Sequence, residues 1–188
     1  YILVSGKKQR INIENEFINA YPDKYQVNDI SLPYEQRRKR SKQMIKKRHK
    51  ILTFHDFAKK VSELDGDGLR EKFTSINLWI DETQIIAVKV GNDGFAELRK
   101  KEDEDDENRQ IKRTKKFQYN AILQVAREID DVKVFLTSQT PIRDNDKVLS
   151  SIINLLNAKA DELLPGNFNY YKEKNTNKVF HGIISAMD

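Results

Sequence analysis

The chain has 188 residues, 34% charged and 38% hydrophobic, and its 34 basic and 29 acidic side chains leave a net charge of +5. That length allows one good core and is too short for two comfortable domains. Cysteine is absent, which excludes disulfides and thiolate chemistry and suits a reducing compartment. Apolar runs reach only about five residues, which excludes a membrane helix of about 20.

The first residue is Tyr1 rather than Met, and no secretory pattern follows. The chain is therefore expected to be a piece of a longer protein. Tyr1 to Ser5 is an apolar run that reads as a buried strand. Gly6-Lys7-Lys8 turns the chain, and Gln9 to Tyr21 has helical spacing with Ile13, Phe17 and Ala20 inward, stopped by Pro22 and Asp23. Gln26 to Leu32 is a second, weaker strand. Pro33 opens a helix over Tyr34 to Arg48 that carries Arg37, Arg38, Lys39, Arg40, Lys42, Lys46, Lys47 and Arg48 against the single acid Glu35.

Lys50 to Phe54 reads as a short strand and Asp56 to Leu64 as a helix. Asp65-Gly66-Asp67-Gly68 is a turn, and Ile76 to Asp81 is an apolar strand expected to be buried on both faces, with Trp79 in the core. The stretch 97–116, with its acidic block Glu102 to Glu107, has little apolar content and reads as a solvated or disordered insertion. A helix follows over Phe117 to Ile129, then a strand over Asp131 to Thr137. The last expected helix, Asp146 to Asn157, is capped by Asp144 or Asn145, and Pro165 and Gly166 end that layer. Strands alternate with helices, which predicts a parallel sheet covered on both faces: an α/β, three-layer fold.

Chemistry concentrates where the apolar run 76–80 ends in Asp81-Glu82-Thr83-Gln84. The carboxyl end of a parallel strand is where α/β folds place ligands. Two acids there suit a magnesium ion that keeps several waters, with one acid free to act as a general base. The plainer alternative is an acidic, solvated turn. The basic helix offers a footprint for phosphate backbones, or else a charged face paired with acids such as the 102–107 block. Phe168, Tyr170 and Tyr171 fit packing better than base stacking, and Trp79 reads as core rather than a stacking platform. His49, His55 and His181 lack metal-ligand spacing.

In order along the chain, these segments resemble the first motor domain of superfamily 2 helicases. Tyr1 to Lys8 with Glu16-Phe17 resembles motif Ia, and Lys50 to Phe54 the strand of motif Ib. Asp81-Glu82-Thr83-Gln84 resembles the Walker B motif, and Ser138-Gln139-Thr140-Pro141-Ile142 motif III. The run from Thr140 to Asn145, Leu155-Leu156-Asn157, Leu163-Leu164-Pro165 and His181 to Ser185 is similar to poxvirus-type enzymes, the nucleoside triphosphatase and early-transcription-factor ATPase of large cytoplasmic DNA viruses.

The resemblance implies a RecA-like domain over 1–188, from motif Ia to its end, lacking its first strand and phosphate loop. It implies ATP and Mg2+ as cofactors, Asp81 and Glu82 at the metal, and Glu82 and Gln84 in catalysis. Ser138, Gln139 and Thr140 would couple nucleotide state to the nucleic-acid face. Gly6, Lys7, Lys8, Thr53, Arg37, Arg38 and Arg40 would meet DNA or RNA. A second motor domain and viral transcription machinery are the implied partners, without a membrane, in the host cytoplasm or a virion. Two departures limit it. No Gly-x-x-x-x-Gly-Lys-Ser/Thr occurs, since Ser5-Gly6-Lys7-Lys8 is too short. Thr83-Gln84 also stands where the family has a histidine. Residues 1–188 alone are therefore expected to be inactive. The rival expectation is a non-catalytic, helicase-like scaffold or nucleic-acid-binding module.

Overall fold

The computed structural model describes residues 1–96, 106–138 and 148–168. Four short strands form one all-parallel sheet in the order β2-β1-β3-β4: β1 is Ile2–Val4, β2 Ile51–Thr53, β3 Asn77–Ile80 and β4 Lys133–Leu136. One row crosses it through Ile51, Ile2, Trp79 and Phe135. The helices among the described residues are α1 (Lys7–Ala20), α2 (Pro22–Tyr25), α3 (Tyr34–Arg48), α4 (Phe54–Ser62), α5 (Gly66–Phe73), α6 (Asp106–Glu128) and α7 (Leu149–Leu156). None is long and apolar enough to cross a membrane. The expected α/β class with a parallel sheet is what the chain forms.

Alternation along the strands separates two cores. Leu3, Leu78 and Ile80 point to one face, where Phe54, Phe57, Ala58 and Val61 of α4, Leu69 and Phe73 of α5, Tyr119, Ile122 and Leu123 of α6 and Leu155 of α7 cover them. Val4 and Ile51 point to the other face, closed by Tyr25, Ile45, Ile13, Phe17 and Ile18 from α1, α2 and α3. This second core is small and stitched by polar groups. Buried Glu14 pairs with Lys42 at 3.1 Å, and Arg38 donates to Asn15 Oδ1 at 3.2 Å.

Four expectations fail here. Gln26 to Leu32 is no strand: Pro22 starts the short helix α2, and the Val27 amide donates to Ser41 Oγ at 3.1 Å instead of to a ladder. Asp65 to Gly68 is not a free turn but the start of α5, because Asp65 Oδ1 accepts from the Gly68 amide at 2.8 Å and Leu69 and Phe73, one turn apart, are buried. The last helix before β4 begins at Asp106 rather than Phe117. The Arg, Gln and Lys of that segment are strong helix formers, so they extend the amphipathic part into solvent, where Ile111 is exposed.

Trp79, finally, is not core. It is 46% exposed and stacks on the 42% exposed Phe135, with ring centroids 5.6 Å apart. The strand is buried on one face only at β3 and β4, because α1 and α3 end their cover at β1 and β2.

Candidate active site

A parallel sheet gathers all its carboxyl ends on one edge, so Ser5-Gly6, Asp81-Glu82 and Thr137-Ser138 follow strands there and Thr53 ends one. Asp81 is the best-held group. Its Oδ1 accepts from Thr137 Oγ1 at 2.9 Å and its Oδ2 from Gln9 Nε2, in the first turns of α1, at 3.0 Å. Ser5 Oγ donates to Glu82 Oε2 across a long 3.4 Å. Ser138 Oγ donates to Gln84 Oε1 at 2.6 Å.

The backbone explains why the two acids diverge. Glu82 has φ 53 in the left-handed region, uncommon for a side chain with a Cβ, and this turns the chain out of β3 into the short 3-10 helix Thr83–Ile85. Thr83 is buried, and both its amide and its Oγ1 donate to the Thr137 carbonyl at 3.1 Å. The acidic loop is therefore tied to the end of β4 at Asp81, Thr83 and Gln84. It is held as one unit with the strand that carries Ser138.

The described residues bring together Asp81, Glu82, Gln84 and Ser138. Gln139 and Thr140, and with them Pro141 to Asn145, lie outside the described residues, as do Tyr170, Tyr171 and His181 to Ser185. Sequence reasoning missed Gln9, Thr137 and Ser5. Thr137 adjoins Ser138 and could have been found as the last residue of an apolar run; Gln9 carries no local signal.

Gly6, Lys7 and Lys8 sit at the start of α1, beside the acids. The helix has no side-chain cap and no acid in its first turn, so exposed Lys7 and Lys8 add positive charge to the positive end of its dipole. That terminus is electrostatically suited to an anion.

Thr53 differs from expectation. It is buried, and its Oγ1 caps α4 by accepting from the Asp56 amide at 3.0 Å, so its hydroxyl serves the helix rather than a bound strand. On α3, Arg38 is engaged by Asn15, Arg37 buries an Nε with no protein partner, and Arg40 is exposed. Lys42 is spent on Glu14; among the described residues Lys39, Arg40, Lys46, Lys47 and Arg48 form no ion pair. Because α3 leads into the amino end of β2, Lys46, Lys47 and Arg48 lie toward the sheet edge opposite the acids.

No group of three or more His, Asp or Glu among the described residues is placed to hold a metal by itself. The donor set nonetheless fits magnesium held through water: a carboxylate offers roughly four lone-pair positions, and two of Asp81's are used. No protein-family model, no curated protein and no solved structure matches the chain.

Proposed function

We propose that the chain supplies the carboxylate half of the nucleotide site in an ATP-dependent nucleic-acid helicase or translocase of superfamily 2 type. Its setting would be viral transcription or genome handling, as in large cytoplasmic DNA viruses. The observation that carries this reading is the pair of contacts Thr137–Asp81 and Ser138–Gln84, which join the acidic loop to the hydroxyl-bearing end of the next strand. A motor requires such a link, because nucleotide state at the acids has to reach the elements that grip the strand.

On this reading Asp81 and Glu82 would hold Mg2+, which would supply positive charge to offset the phosphates of bound ATP. Glu82 takes a proton from water at its carboxylate, which Ser5 holds only loosely. Gln84 has its Oε1 occupied by Ser138 and so faces phosphate with its amide Nε2, a donor that cannot change protonation. Gly6, Lys7, Lys8 and Arg40 contact the DNA or RNA backbone. The phosphate-binding loop and the second motor domain come from outside residues 1–188.

Steady-state ATP hydrolysis tests this. Residues 1–188 alone should show none, and robust turnover by them would overturn the reading. In a polypeptide that includes the phosphate loop, Glu82→Gln should abolish turnover and leave nucleotide binding; normal hydrolysis by that variant would remove Glu82 as the base. The rival, a non-catalytic module that binds nucleic acid or scaffolds a larger particle, draws on one observation. Both Asp81 oxygens already accept protein hydrogen bonds. Absence of turnover in the complete polypeptide would favour it.

A further inference from the structure

We propose that the open half of the sheet's second face is a stacking platform for unpaired bases of single-stranded nucleic acid, built from Asn77, Trp79, Lys133 and Phe135. This rests on the reading of the chain as a nucleic-acid-binding protein and adds a site to it; it does not depend on ATP chemistry.

The four residues form a grid on adjacent parallel strands. Asn77 lies in register with Lys133, and Trp79 with Phe135. All four are exposed. The two rings are nearly parallel, 20° apart, with centroids at 5.6 Å. Phe135 stands on β4, which pairs only with β3 among the described residues, so the stack can be extended outward by a further flat ring.

An aromatic pair flanked by an amide and an ammonium group has the chemistry that single-stranded nucleic acid rewards. Rings stack bases of any sequence, an amide reaches a base edge, and a cation meets phosphate. Lys133 carries the only charge in the grid, and the chain is basic as a whole. A protein partner is the poorer match. At 46% and 42% exposure the two rings offer roughly 200 Å² of apolar surface, against roughly 800 Å² per partner in a stable complex. Parallel sheets are ordinarily covered on both faces, so an aromatic pair left open on the β3–β4 side of one calls for an occupant.

Trp79 is the only tryptophan in the chain, so its emission reports this face directly. A short oligothymidylate titrated into the full chain should quench Trp79 with the same dissociation constant that anisotropy of the labelled strand reports. A duplex of equal length should leave the emission unchanged. Phe135→Ala should keep the circular dichroism spectrum and weaken oligothymidylate binding about tenfold, while the salt dependence of the remaining binding, set by phosphate contacts, persists.

Strand binding by anisotropy with unaltered Trp79 emission would overturn the platform and leave the nucleic-acid reading standing. No strand binding at all would overturn both. Blue-shifted, acrylamide-protected Trp79 emission in the free protein, whether or not it depends on concentration, would show the face covered by protein and overturn the platform.

Discussion

The two faces of the β3–β4 pair differ by a single residue step and by everything that covers them. Leu78 and Ile80 are fully buried under α4, α5 and α6, in a core that includes Phe54, Phe57, Phe73 and Tyr119. Trp79, between them in the chain, stands in solvent with Phe135. Hydropathy does not distinguish these neighbours, since all are strand-forming apolar residues. What separates them is where helices land. α4 to α7 cover the first face across all the strands, whereas α1 to α3 form a compact, partly charged cluster that stops over β1 and β2. In a sheet the burial of a side chain is decided by the layer above it.

That contrast can be broken or sharpened by measurement. The largest expected effect is from Ile80→Ala, which leaves a cavity in the first core and should cost about 3 kcal/mol in urea unfolding followed by circular dichroism. Trp79→Ala, one residue earlier, should cost only about 1 kcal/mol, mostly the loss of its ring partner. Equal costs would mean that the second face is covered after all.

Next comes Lys42→Met, which leaves the Glu14 carboxylate buried without its partner and should cost about 2 kcal/mol, discounted because Lys42 is 23% exposed. Adding Glu14→Leu should restore most of that stability; if it does not, the pair is doing more than neutralising a buried charge. Thr137→Val removes a hydroxyl bonded to Asp81 and should cost about 1 kcal/mol. An unchanged denaturation midpoint would indicate that Asp81 is held by Gln9 alone.

The smallest effect is a pH dependence from the second face. His49 stacks on Phe17 at 4.7 Å and shares a 2.8 Å hydrogen bond with the Tyr25 hydroxyl. Burial first, and then the positive charges of the amino terminus, Lys24 and Arg48, lower its pKa below the ordinary 6.5. The folded state thus favours neutral His49, while the unfolded chain takes up a proton at the ordinary value. Stability should be level above that pH and decline as pH falls below it. His49→Gln should flatten the decline in thermal midpoint as pH falls below the ordinary histidine value of about 6.5; an unaltered slope would place the effect elsewhere. Tyr119 shows the first face's version of the same physics. Burial pushes its hydroxyl well above the phenol range, and it donates to the Gly94 carbonyl at 3.0 Å.

The strands were the most legible part of the fold, because runs such as Tyr1 to Ser5 and Ile76 to Ile80 are bounded by turn residues on the chain itself. Two helical segments were not. α5 opens with two glycines that resemble a turn until Asp65 caps them, and the start of α6 has helix-forming residues but little apolar stripe. Of the candidate site, Asp81, Glu82, Gln84 and Ser138 stood out as polar residues at the ends of apolar runs. Thr137 and Ser5 end apolar runs as well, whereas Gln9, whose contact with Asp81 spans 72 residues, carries no local signal.

The sequence by itself determined that strands alternate with helices, with one strand too many at Gln26 to Leu32, and that acids and hydroxyls fall at the carboxyl ends of the four strands that form. Local propensity and periodicity are enough for that, because both act within a few residues. Only the tertiary structure decided that the acidic loop is lashed to β4, that Thr53 is a cap, and that the second face closes over β1 and β2 while Trp79 and Phe135 stay open. Those outcomes depend on strand order and on which helix packs where, and no short stretch of chain encodes either.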